Sequence, residues 1–176
     1  MKIHKTKIAG VFILDTEPRV DERGFFARVY AKEVLREFGI SYDIVHINRS
    51  LTKKRGTIRG IHYQIKPREE DKIIQCISGR IFDVAVDLRR RSKTYGVWIG
   101  VELSDKNKKM LLVPKGCGHA FQTLEPNCLI EYFVTEYYSP EHERGALWND
   151  PYFKIDWPIK RATLSEKDKN WPLLRK

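Results

Sequence analysis

The chain has 176 residues, 41% of them hydrophobic, and a formal net charge of +10. That length predicts a single domain, 1–176, with room for a full core, and no apolar run approaches the roughly 18 residues of a membrane span. The charge excess points to an anionic partner, but the basic clusters at Lys53-Lys54-Arg55, Arg89-Arg90-Arg91 and Lys106 to Lys109 sit beside turn residues. They read as solvated surface, so neither nucleic acid nor a membrane is expected as a partner. Met1-Lys2-Ile3-His4-Lys5 is not followed by the apolar segment of a signal peptide. Three cysteines, Cys76, Cys117 and Cys128, have neither metal-like nor disulfide-like spacing. A reducing cytoplasm is the simplest location.

Residues 1–14 read as an opening strand pair, with the apolar run Val11-Phe12-Ile13-Leu14. The polar stretch from Asp15 to Arg23 reads as a loop, and Asp21-Glu22-Arg23-Gly24 as a turn. Phe25 to Tyr30 is a strand candidate. Residues 31–38 place Val34, Leu35 and Phe38 at helical spacing, and Gly39 stops the segment as a C-terminal glycine does. Beyond it, strands are predicted at 43–50, 57–64, 72–77, 80–88, 95–104, 109–114, 119–124 and 128–138. Turn residues separate them at the spacing of a β-sandwich or barrel. From Trp148-Asn149-Asp150-Pro151 onward little periodicity remains. The reading there is an irregular wrap with short helical turns, one capped by Ser165.

Two strands carry more than core. In Ile81 to Leu88, one face holds Phe82, Val84, Val86 and Leu88, and the other holds Ile81, Asp83, Ala85 and Asp87. Two carboxylates among small residues suit a polar cavity. Arg59-Gly60-Ile61-His62-Tyr63-Gln64 mounts a guanidinium, an imidazole and an amide on one strand. Alternation puts Arg59 and His62 on opposite faces. A bulge at Gly60 would bring both to one pocket, and a regular pleat there would count against it. For Ile130 to Thr135 the pattern does not say which face is inside.

Pro114-x-Gly116-x-x-His119 has the spacing of the second cupin signature, in which a turn delivers a histidine into a barrel. The earlier strand offers His62-x-Gln64 where metal-binding cupins carry two histidines. Two imidazoles and an amide are a poor ligand set for zinc or iron, so no metal and no cofactor are expected. Acid–base chemistry by imidazole is the better reading. Asp83, Asp87 and Asp168 are candidates to orient a histidine. Lys72 is a candidate to stabilise an oxyanion, and one of eight tyrosines to serve as the opposing acid.

Nearly end to end, the sequence resembles the dTDP-4-dehydrorhamnose 3,5-epimerase family. The ordered markers are Asp21-x-Arg23-Gly24-x-Phe26, Asn48-x-Ser50, Arg59 to Gln64, Lys72, Gly79-x-Ile81 to Arg89, Pro114-x-Gly116-x-x-His119, Tyr132, Tyr138-x-Pro140, Gly145-x-x-Trp148 and Leu164-Ser165-x-Lys167-Asp168. The resemblance implies a mainly β, cupin-type jelly-roll barrel or sandwich with one short helix in the N-terminal half. It implies a dTDP-4-keto-6-deoxyhexose substrate, with His62 as base, Asp168 orienting it, Lys72 at the enolate oxygen and Tyr132 as acid. Arg59 and His119 would line the same pocket. Arg23, Phe26, Asn48 and Tyr138 would hold the nucleotide diphosphate, with Phe26 supplied by the neighbouring subunit of a homodimer. Asp83 remains an alternative to Asp168.

The chain departs from the family pattern at Arg28, where a Glu is usual, and at His46, where a Gln is usual. Both positions are expected to border the nucleotide, so Arg28 is a candidate phosphate contact. Rival readings are a C3-only epimerase, an epimerase using another nucleotide, and a non-catalytic sugar-nucleotide binder.

Overall fold

A computed structural model describes residues 1–41 and 43–174. Its strands are β1 (Lys2–Lys5), β2 (Phe12–Asp15), β3 (Arg19–Asp21), β4 (Gly24–Phe26), β5 (His46–Thr52), β6 (Ile58–Gln64) and β7 (Lys72–Ser78). They continue with β8 (Arg80–Asp87), β9 (Trp98–Ser104), β10 (Lys109–Val113), β11 (Cys117–Thr123), β12 (Cys128–Val134) and β13 (Glu143–Gly145). The two helices are α1 (Lys32–Glu37) and α2 (Glu166–Lys169). Gly39, with φ +74°, follows α1 where the sequence puts a stop.

Six strands form one antiparallel sheet in the order β1-β2-β10-β7-β12-β5. Five form a second in the order β13-β6-β11-β8-β9. The architecture is the expected jelly-roll sandwich, and the two sheets meet by side-chain packing, not through a continuous hydrogen-bonded cylinder. Three local expectations need correction. The stretch after Asp15 contains β3, which pairs with β4 as a small hairpin. The candidate strand from Phe25 to Tyr30 is extended and paired only to Phe26, because the hairpin has no third strand to lean on. The candidate over 128–138 leaves its sheet at Val134.

Alternation sorts the apolar residues into three layers. Ile74, Ile81, Ala85, Leu111, Phe121 and Ile130 fill the space between the sheets. Ile73, Leu112 and Phe133, on the opposite faces of those strands, pack under Leu35 of α1. Val84, Val86 and Ala120 point out of the five-stranded sheet and are covered by Phe153 and Trp157 of the C-terminal wrap. So β8 is buried on both faces, which an isolated alternating pattern does not reveal. Each fully buried aliphatic side chain contributes about 1.5–3 kcal/mol. The wrap therefore acts as a third structural layer.

The bulge at Gly60 is present. On β6 against β11, His62 faces His119 and Arg59 faces Phe121, so three steps on one strand match two on the other. Ile58 and Ile61 consequently share the outer core, while Arg59 and His62 share the inner face. Gly60 has φ +117°. A Cβ there would lie 2.5 Å from the His119 carbonyl oxygen, so the position requires glycine.

Candidate active site

One end of the space between the sheets is polar. A cleft of about 340 Å³ opens there, lined by His46 and Asn48 of β5, His62 of β6, Lys72 of β7, Tyr132 of β12 and Glu143 of β13, among others. Pairing explains the convergence. Tyr132 is opposite Asn48 on one side and Ile74 on the other. Ile74 points between the sheets, so Tyr132 and Asn48 do as well, and the open question about the face of β12 is answered.

His62 makes the tightest contact. Its Nε2 lies 2.5 Å from Asp168 Oδ1, and Asp168 is 3% exposed. With the carboxylate accepting, Nε2 carries the proton and Nδ1 keeps the lone pair of a base. Asp168 is delivered by α2. Ser165 caps that helix by accepting from the Asp168 backbone N–H, and its hydroxyl donates to Asp168 Oδ2 at 2.8 Å. Burial pushes the Asp168 carboxyl up, but His62 and Ser165 outweigh it and hold the group below its ordinary value. Trp171 closes the site from behind, edge-on to His62 with ring centroids 6.0 Å apart. Its indole lies against Gly145, where a Cβ would be 2.2 Å from the ring. The indole N–H has no hydrogen-bond partner, so its pull on Asp168 is a weak, longer-range one.

Of the candidate carboxylates, Asp168 alone pairs with His62. Asp83 instead holds His119, with Oδ1 2.7 Å from Nε2. It is fully buried, and burial pushes its carboxyl up against the pull of His119 and Lys72. Asp87 is fully buried. It staples the turn after β8, accepting two side-chain bonds from Arg89 and one each from Ser92 and Thr94.

Lys72 lies in the cleft with its ammonium 2.9 Å from Glu70 Oε1. The Tyr132 hydroxyl is raised above its ordinary value by burial and by the charge of Glu70, with Arg59 pulling the other way. His46 stands at the rim, edge-on to Tyr137 at 5.3 Å. Tyr138 also lines the cleft, and its hydroxyl donates to Glu143 at 2.6 Å.

Arg59 and His119 reach the same inner face but do not line the cleft. Arg59 donates to Thr52 Oγ1 at 3.1 Å and to the Leu51 carbonyl at 3.4 Å. His119 sits behind His62 as its cross-strand neighbour. Three nucleotide candidates lie elsewhere in this copy of the chain. Arg23 is exposed and paired with Asp21 in the hairpin turn. Phe26 is 64% exposed, and with Arg28 it lines a separate groove beside Met1 and Glu17.

Gln64 is not available as a ligand. Its amide nitrogen donates to the carbonyls of Arg68 and Tyr137, and its oxygen accepts from the Ser139 N–H. It fixes the segment that carries Tyr138. His62 and His119 each commit a ring nitrogen to a carboxylate. Among the described residues no three His, Cys, Asp or Glu side chains are grouped to hold a metal ion.

Sequence reasoning missed Glu70, Glu143 and Trp171. Glu143 belongs to β13, too short to leave a periodic signal. Glu70 and Trp171 lie outside regular elements, where position follows from packing.

An imidazole paired with a buried carboxylate, an ammonium and a phenol raised above its ordinary value surround one cleft. That set can take a proton from an acidic C–H, hold the resulting oxyanion and return a proton from another side. A sequence profile described as dTDP-4-dehydrorhamnose 3,5-epimerase matches residues 5–176. The dTDP-4-dehydrorhamnose 3,5-epimerase of Methanothermobacter thermautotrophicus is 41% identical over 174 residues, 97% of this chain and 93% of that one. The crystal structure of dTDP-4-dehydrorhamnose 3,5-epimerase from Bacillus anthracis, with TDP and PPi bound, is 43% identical with a TM-score of 0.95. The match covers 98% of this chain and 99% of that one. The dTDP-6-deoxy-D-glucose-3,5-epimerase of Legionella pneumophila, solved with dTDP-4-keto-L-rhamnose, is 37% identical with a TM-score of 0.92 over 98% and 92% of the two chains. Agreement over nearly the whole length, around a cleft built for proton transfer, shows that this chain belongs to the dTDP-4-dehydrorhamnose 3,5-epimerase family.

Proposed function

We propose that the chain epimerises dTDP-4-keto-6-deoxy-D-glucose at C3 and C5 to dTDP-4-keto-L-rhamnose. The C4 ketone acidifies the C–H bonds on either side of it. His62, held by Asp168, takes the proton and leaves an enolate, whose oxygen Lys72 stabilises. Tyr132 gives a proton to the opposite face and inverts the centre. Substrate and product are stereoisomers that differ only at C3 and C5, and each inversion removes one proton and returns one, so the reaction balances without any redox partner. The observation that carries this reading is the placement of the His62–Asp168 pair and Tyr132 on facing sheets of one cleft, with Lys72 beside them.

His46, Asn48 and Tyr138 extend from the reacting end towards the rim, where the nucleotide diphosphate would lie. The Phe26 groove is separate from the cleft within one copy, and a second copy in a homodimer would bring Phe26, Arg23 and Arg28 to the base and phosphates. Three buried free cysteines suit a reducing cytoplasm, and no helix among the described residues is long and apolar enough to cross a membrane.

The test is incubation with dTDP-4-keto-6-deoxy-D-glucose in deuterated water. Label is expected at both C3 and C5, and loss of general acid–base help in His62→Asn or Tyr132→Phe should slow exchange by about 10²–10⁴-fold. Label at C3 alone would reduce the activity to a single centre. Wild-type protein that exchanges nothing on any 4-keto sugar nucleotide would leave only a binding role.

A further inference from the structure

Lys72 does not face the cleft alone. Glu70, two residues before it, lines the same cleft and places Oε1 2.9 Å from the lysine nitrogen, with side-chain exposures of only 14% for Lys72 and 11% for Glu70. The segment carrying Glu70 is fixed at its neighbour. The Asp71 N–H donates to Thr135 Oγ1 at 2.9 Å, and Asp71 Oδ1 accepts the Lys115 N–H at 2.9 Å. The Thr135 N–H donates back to the Asp71 carbonyl. The backbone that carries Glu70 is thus held at the entry to β7.

We propose that Glu70 is a positioning residue of this site: its carboxylate fixes the Lys72 ammonium beside the substrate ketone and sets the charge surroundings in which Tyr132 holds its proton. The inference rests on the epimerase reading. An ammonium has three donors. One is held by Glu70, which leaves two to meet an oxygen whose charge grows during the reaction. A long lysine stem without that anchor would sample many rotamers between turnovers.

The second half of the proposal concerns the field at Tyr132. His46 of β5, His62 and Tyr63 of β6, and Lys72 of β7 share the cleft with it. So do Glu136 and Tyr138, which follow β12, and Glu143 of β13. Glu136 is paired with Arg68, and Glu143 with Lys167 and Tyr138. Among these carboxylates Glu70 is the one whose charge acts on Tyr132, after burial itself, while Arg59 opposes it. A general acid must keep its proton up to the working pH. Removing a nearby negative charge lets the phenol ionise earlier, so the alkaline limb of the rate profile should move to lower pH.

Two variants separate anchoring from charge. Glu70→Gln keeps an acceptor oxygen for Lys72 but no charge; Glu70→Ala keeps neither. Deuterium wash-in on the 4-keto sugar nucleotide is followed from pH 6 to 10, with melting temperature measured on the same samples. For Glu70→Gln, kcat near neutral pH should stay within about threefold of wild type while its alkaline limb moves to lower pH. For Glu70→Ala, kcat should fall about ten- to hundredfold with little change in KM. Wild-type rates and an unmoved alkaline limb in Glu70→Gln, with only a lower melting temperature, would overturn the proposal and reduce Glu70 to a structural role. If Glu70→Ala fails to fold, the limb of Glu70→Gln still decides. A wild type without exchange would sink the epimerase reading itself, an outcome distinct from any of these.

Discussion

Asp87 shows how far a single carboxylate can be read. Its place beside Asp83 suggests a cavity, yet it is fully buried and serves a turn. Burial alone would push its carboxyl up; the Arg89, Ser92 and Thr94 donors outweigh that and hold it at about 2. A folded-state value below the unfolded one, about 3.9, contributes stability at any pH above the unfolded value, and the contribution is lost as pH falls through the folded value. The interaction is therefore worth about 2–3 kcal/mol at pH 7, and that contribution is lost between roughly pH 4 and pH 2. Asp87→Asn should lower denaturant stability at pH 7 and flatten the acid slope in that window. An unchanged slope would mean that the donors do not act through charge. Tyr132, one tyrosine of eight, was picked out by family resemblance alone, while His62 and Lys72 were legible as candidates from residue type and motif. The choice of Asp168 over Asp83 was not, because it depends on where the wrap returns.

At the scale of elements, a helix of four residues decides how His62 is held. A helix so short has almost no stability of its own, so α2 depends on its cap and on packing. Ser165 supplies both the cap and a hydrogen bond to the carboxylate that grips His62. Ser165→Ala should cost about 1 kcal/mol of stability and should also slow deuterium exchange, with Ser165→Thr restoring most of both. A variant that loses stability but keeps the full exchange rate would confine Ser165 to capping. The cap was readable in the sequence as Ser165 before Glu166-Lys167-Asp168. The bulge in β6 was readable too, because two residues three apart were both needed on one face, and a glycine stood between them. The turn at Asp21 to Gly24 and the strand from Phe25 were read, but β3 was hidden in a polar stretch, since a three-residue strand carries no period to detect.

At the scale of the molecule, the separation of the Phe26 groove from the His62 cleft has a direct test. If one copy supplies the base and another supplies Phe26, two crippled variants can repair one another. His62→Asn and Phe26→Ala, each nearly inactive, should recover about a quarter of wild-type activity when refolded together at equal amounts, because mixed dimers hold one intact site. Recovery no greater than the sum of the two would place both residues in one copy's site. The sandwich as a whole was legible from strand spacing and turn residues. Its third layer was not: Phe153 and Trp157 lie in a stretch without periodicity, and only the burial of both faces of β8 shows what they cover.

Trp171 adds an optical consequence. Trp98, Trp148 and Trp157 belong to the packing on the outer face of the five-stranded sheet, whereas Trp171 stands edge-on to His62. An excited indole passes an electron to a protonated imidazole more readily than to a neutral one, and its emission dims. The light from this one tryptophan therefore reports on the imidazole beside it, without any substrate present.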